Sequence, residues 1–218
     1  IYGTRWIDAQ LPAELNRRSR DKASGVILHS DALQDDEACV RDGMKLTTPA
    51  RTAFDLGRRQ GLQRAVARLD ALARATDLKL PDVQSLIERH PGARGIIQLR
   101  RALELIDAGS QSPWETRTRL TLVAAGLPRP TTQVPVYDGG CLLARIDMGW
   151  EDWLVGVEFD GAQHWTDPRQ RTWDIDRQAE LEALGWRIVR VSADMLRYRP
   201  SVVVARARAA LTAAGAAM

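Results

Sequence analysis

Apolar residues recur at two different spacings along this chain of 218 residues, and the change falls near residue 110. Upstream of it, Leu62, Val66, Leu69 and Leu72-Ala73 step three or four apart, the period of an amphipathic helix. Thr48-Pro49 supplies a helix start, with a hydroxyl as N-cap and proline at the first helical position. The spacing predicts four helices at about 49–59, 61–76, 81–90 and 94–107, with Pro91-Gly92 ending the third. Before them, Gly25-Val-Ile-Leu-His29 and Met44-Lys-Leu-Thr47 read as short strands. Between the strands lies acidic punctuation at Asp31, Asp35, Asp36 and Glu37.

Ala108-Gly-Ser-Gln-Ser112 is small and polar and predicts a domain boundary, giving units of 1–110 and 111–218. Ser112 with Glu115 forms a capping-box signature that opens a helix running to Gly126. Strands follow at about 131–137, 141–148 and 152–159, then a long charged helix over 167–184 closed by Gly185. Trp186 to Val191 is a further strand, and 200–215 a last helix. The second unit is therefore α/β, in the order α-β-β-β-α-β-α, behind a smaller unit that is mixed and mainly helical.

An apolar content of 44% with 27% charge excludes a disordered chain. No apolar run is long enough for a membrane helix, and the polar first 25 residues carry no secretory signal, so a cytoplasmic location is expected. The chain begins at Ile1 rather than Met, which suggests a fragment or a processed product. Cys39 and Cys141 lie far apart and form no metal motif, so two free thiols are expected. The net charge of +3 permits a polyanionic partner without requiring one.

The stretch 145–164 concentrates the candidate chemistry. Asp147 ends one apolar run, Glu158 and Asp160 end the next, and His164 follows a glycine. Residues two apart on a strand share a face, so Glu158 and Asp160 would repel each other unless a cation lay nearby. Hard carboxylate oxygens suit Mg²⁺ or Mn²⁺. The ordinary reading of each residue taken singly is a solvated strand end or a packed histidine, and for Glu115 the capping box is a complete structural explanation. Trp165 is a candidate for base stacking. Arg169, Arg171, Arg177, Arg197 and Arg199 are candidates for phosphate contact, although acids interleave with the first three. Arg206 and Arg208 extend the less balanced C-terminal group.

The element order and these acids together resemble the PD-(D/E)xK nuclease fold, and more narrowly the very-short-patch-repair-like endonucleases. Four pieces carry the resemblance: Ser112-Pro-Trp-Glu115 through Gly126-Leu-Pro128, Ile146-Asp147, Val157-Glu-Phe-Asp-Gly161 with His164, and Asp176-Arg177 followed by Leu184-Gly-Trp-Arg187. It implies a restriction-endonuclease-like mixed sheet flanked by helices, and cleavage or nicking of DNA with a divalent ion. Asp147 and Glu158 would be metal ligands. Asp160 would be a third ligand or would hold a water, Glu115 would assist, and His164 would move protons. The wider family's lysine, two residues after the glutamate, is replaced here by Asp160, and no lysine follows Lys79. His164 is the substitute that the narrower family suggests.

In the first unit, Ile27-Leu-His29 and Leu46-Thr-Thr-Pro-Ala-Arg-Thr-Ala-Phe-Asp-Leu56 resemble the C-terminal region of AbiEi-type antitoxins of type IV toxin–antitoxin systems, with the N-terminal part truncated. That resemblance keeps two other readings open: a nuclease-like protein that binds DNA without cutting it, as an antitoxin or transcriptional regulator, and a module that binds a cognate toxin.

Overall fold

The structure is a computed structural model; it describes residues 13–16, 26–29, 31–161 and 168–217, with the side chains of 13–28 and 162–172 outside that description. Strands β1 (Ala13–Asn16) and β2 (Val26–His29) pair in parallel, and β3 (Ala38–Arg41) and β4 (Met44–Thr47) form an antiparallel hairpin. Helices α1 (Pro49–Arg59), α2 (Leu62–Ala75), α3 (Leu80–Arg89) and α4 (Ile96–Leu105) then pack together. Their core includes Phe54, Val66, Leu69, Leu86 and Leu99. The Thr48 hydroxyl caps α1 by accepting from Arg51 N–H, as its sequence predicts. Gly95, at φ 88°, starts α4 in the left-handed region, and a Cβ there would lie 2.1 Å from the Arg58 carbonyl oxygen. Only glycine meets both conditions.

Asp31, Asp36 and Glu37, ahead of α1, are bound to this helical layer. Glu37 is buried and engages Arg51, and its other oxygen lies 2.7 Å from His90 Nε2. Asp36 pairs with Arg89 at 2.8 Å. Arg51, Phe54 and Asp55, central to the antitoxin-like stretch, thus form a packing hub: Arg51 also donates to Asp55 at 3.0 Å, and His90 packs on Phe54 with centroids 5.5 Å apart.

The second unit opens with α5 (Pro113–Ala124) and continues through β5 (Thr131–Asp138), β6 (Cys141–Trp150), β7 (Val155–Asp160), α6 (Pro168–Ala183), β8 (Arg187–Ser192), α7 (Ala193–Tyr198) and α8 (Pro200–Ala213). The four strands form one mixed sheet, β5-β6-β7-β8, in which only β7 and β8 are parallel. A parallel neighbour needs a crossover, and α6 supplies it. Helices α5, α7 and α8 cover one face over Leu122, Met148, Val157 and Leu211. On the other face α6 places Leu181 against Val134, Ile146 and Trp186. This is the α/β, restriction-endonuclease-like sheet flanked by helices that the sequence predicts. Helix α7, strands β1 and β3 and the start of β7 three residues later are what the periodicity did not show. No helix among the described residues is long and apolar enough to cross a membrane, and neither Cys39 nor Cys141 is in a disulfide.

Helix α5 belongs to both cores. Leu120 packs in the helical core and Leu122 in the sheet core. Between them Arg119, fully buried, donates to Asp70 of α2 at 2.8 Å, with the two side chains 0% and 1% exposed. The remaining polar atoms are satisfied around that pair. Asp70 accepts from Thr116 Oγ1 at 2.8 Å and Asp107 N–H at 2.7 Å, while Arg119 donates to the Leu105 carbonyl at 2.8 Å and to Ser110 Oγ at 3.3 Å. Breaking a buried pair from one side strands a charge and costs about 3–5 kcal/mol. Arg119→Leu is therefore expected to lower the unfolding free energy by about that amount in urea titrations. Asp70→Leu with Arg119→Leu together should cost less than the sum of the single changes.

Candidate active site

Strands β6 and β7 carry the two central acids to one place. Their last paired positions at this end are Met148 and Val157, so Asp147 and Glu158 come next on adjacent strands. The sequence suggested this hairpin but left its register open. The strands approach closely here because Gly149 has no side chain: a Cβ would lie 2.6 Å from the Val155 carbonyl oxygen.

Asp147 sits at a break in the sheet. Its register on the other side runs from Thr132↔Met148 to Val134↔Ile146, and Gln133, facing the gap, has φ 55°. Ile146 joins the α6-side core while Met148 joins the α5-side core, although regular alternation would put both on one face. A non-glycine residue held in the left-handed region is a costly backbone state. At this position it accompanies a redirected acidic side chain. Asp147 Oδ2 accepts from Phe159 N–H at 2.7 Å. Burial pushes the Asp147 carboxyl up to about 7, and the neighbouring charges of Glu115 and Glu158 push the same way.

Glu115 enters from α5. Ser112 Oγ accepts from Glu115 N–H at 3.1 Å, as in a capping box. The return half differs: the Glu115 carboxylate accepts from Gln111 N–H at 2.8 Å, one residue before the cap, and from Gln133 Nε2 at 3.2 Å. The side chain leans toward the sheet instead of closing on its own helix. Burial raises its carboxyl above the ordinary range.

Glu158 is held by Arg177 of α6, which donates to both carboxylate oxygens at 2.8 and 3.0 Å. The sequence assigned Arg177 to phosphate contact; it is engaged with the site acid. Asp160, two residues along the same face of β7, lies 3.9 Å from Arg190 Nη1. Among the described residues no three His, Cys, Asp or Glu side chains stand close enough to share one ion. The structure thus brings Asp147, Glu158 and Glu115 into one field of negative charge, and turns Asp160 toward Arg190 rather than into a three-acid cage. His164 and Trp165 lie outside the described residues, as do the side chains of Arg169 and Arg171.

The periodicity gave no sign of an aromatic wall on the α5-covered face of β7, opposite Glu158. Trp114, adjacent to Glu115, stacks on Phe159, which lies between Glu158 and Asp160; the rings are 5.4 Å apart and 2° from parallel. Arg117 and Arg197 lie over the Trp114 ring at 5.5 and 5.2 Å. Arg197 is therefore held on an aromatic face, and Arg199 is an exposed residue at the joint of α7 and α8. The Trp114-x-x-Arg117 spacing, one helical turn, is the signal that could have found this wall. Gln133 had none, since nothing in its neighbours marks a left-handed glutamine.

Residues 124–211 match the family model REase_MTES_1575, a restriction-endonuclease-like domain. The C-terminal domain is nuclease-like. The chain is also 32% identical over 164 residues, three-quarters of its length, to two curated proteins of Mycobacterium tuberculosis: "Uncharacterized protein MT2308" of strain CDC 1551 / Oshkosh and "Uncharacterized protein Rv2248" of strain ATCC 25618 / H37Rv. It spans 60% of the length of each. No solved structure gave a significant match.

Folding raises the Asp147 carboxyl from 3.8 to about 7, so the folded chain takes up a proton between those values. Stability should therefore fall as pH rises through about 4 to 7, in buffers with chelator. Asp147→Asn keeps an acceptor for Phe159 N–H and removes the charge. Its melting temperature is expected to exceed the wild type's at pH 8 by roughly 3–6 °C, allowing for the partial exposure of the group, and to match it near pH 4.

Proposed function

We propose that the protein is a metal-dependent endonuclease or nickase that hydrolyses phosphodiester bonds in DNA. The observation that carries this reading is the approach of Asp147 to Glu158 at a deliberate break in a restriction-endonuclease-like sheet. Mg²⁺ or Mn²⁺ fits the site by donor chemistry and by charge: both residues offer hard oxygens, and a cation would favour the charged form of Asp147, which burial and then its acidic neighbours disfavour. Asp147 and Glu158 would hold the ion, with Asp160 supporting it through a water and Glu115 adding charge behind Asp147. A divalent ion held there would polarise the scissile phosphate and acidify a water.

The chain's own residues do the rest. The Phe159 N–H and the Gln111–Glu115–Gln133 hydrogen bonds fix the two acids before substrate arrives, so orientation is set in advance. His164, four residues after Asp160, is the candidate to take a proton from the attacking water and return it to the leaving oxygen. Arg197, on Trp114, and the exposed Arg199 offer positive charge suited to backbone phosphates. Arg169, Arg171 and Trp165 complete the proposed DNA-contact set.

A second reading rests on the missing lysine and on the engagement of Glu158 by Arg177: a nuclease-like DNA-binding antitoxin or regulator of a type IV toxin–antitoxin system, partnered by a cognate toxin and without cleavage. Incubation with supercoiled plasmid and Mg²⁺ or Mn²⁺ separates the two. The endonuclease reading expects nicked or linear product, abolished in Asp147→Ala and lowered about 10²–10⁴-fold in His164→Ala. Salt-dependent DNA binding with no product in any divalent ion would establish the second reading instead.

A further inference from the structure

Arg177 is the guanidinium bound to the site acids, and its setting gives it two positions. Its terminal nitrogens take both oxygens of Glu158, and the two side chains are 15% and 12% exposed. Its Nε is buried with no hydrogen-bond partner among the described residues, so the fork is not fully used. Its Cζ also lies 5.7 Å from the ring centroid of Trp173, one turn earlier on α6. Trp173 is 60% exposed, so a guanidinium swung off Glu158 can keep its cation–π contact while turning toward solvent and substrate. Charge makes the same point. Glu115, Asp147 and Glu158 lie together, and of the described cations Arg177 is the one bonded to the two strand acids' side of the sheet through Glu158.

We propose that Arg177 is an exchangeable internal cation. It neutralises Glu158 while no divalent ion is bound, and it must leave Glu158 for the ion to take that carboxylate. Once displaced onto Trp173, its guanidinium faces the scissile phosphate and supplies the positive charge that the absent lysine would bring. Ion binding and Arg177 release are then one linked event: each weakens the other's hold on Glu158 by the same factor. This role rests on the metal-site reading above.

The test measures Mn²⁺ affinity by calorimetry on the full chain, alongside plasmid cleavage at saturating Mn²⁺. Arg177→Gln removes the competitor, so Mn²⁺ is expected to bind roughly 10-fold tighter, on the scale of one charge lost from a partly buried site. Cleavage at saturation should nevertheless fall about 10²-fold or more, because the charge facing the phosphate is gone. Arg177→Lys keeps the competing charge and should leave Mn²⁺ affinity within a few-fold of wild type. Melting curves with and without Mn²⁺ check that each variant is folded, and the Mn²⁺-induced shift should be larger in Arg177→Gln than in wild type. A purely structural Arg177 would instead lose Mn²⁺ affinity and stability together. Mn²⁺ binding to the wild type that Arg177→Gln leaves unchanged or weakens overturns the exchange role alone. No Mn²⁺ binding to either protein overturns the metal-site reading and this role with it.

Discussion

The buried pair of Arg119 and Asp70 sets the position of everything around it. A charge taken fully out of water is tolerable only when its partners are already in place. Asp70 meets that condition with Arg119 and Thr116 of α5 and with the Asp107 amide ahead of that helix. The arrangement fixes α5 on the helical layer in one rotation and one depth. Glu115 and Trp114 lie one turn earlier on the same helix, so their placement against the sheet follows from a contact on its far side. The helical layer is thus part of the support of the acidic site and not a separate attachment.

On the sheet side, the controlling constraint is backbone closeness. Gly149 lets β6 and β7 meet, and the left-handed Gln133 breaks the β5–β6 ladder opposite Asp147. Neither feature helps a sheet as a sheet. Together they turn one aspartate out of the regular alternation and hold it beside Glu158 and Glu115, where burial and like charge both disfavour ionisation. A protein built only for stability would gain by removing one of these acids.

Much of this was legible in the chain. The helix over 49–59 is bounded as its Thr-Pro start and apolar spacing dictate, because capping and periodicity are local signals. The α-β-β-β-α-β-α order was readable for the same reason, and so were the two acids that end successive apolar runs. The short α7 escaped because six residues hold too few turns to show a period.

The sequence by itself determined which residue types are present and the order of the longer elements: carboxylates at strand ends, an arginine-only second unit, no lysine after Lys79. Tertiary structure decided which of them meet. Arg177 bonds to Glu158 across 19 residues, Asp160 faces Arg190, and Glu115 reaches Gln111 and Gln133 instead of closing its own cap. Hydrogen bonds and ion pairs depend on distances of an ångström or less, and those are fixed by the register of β6 on β7 and by the rotation of α5 and α6 over the sheet. Local sequence sets periods and caps; it carries no information about the angle at which a distant helix is laid down.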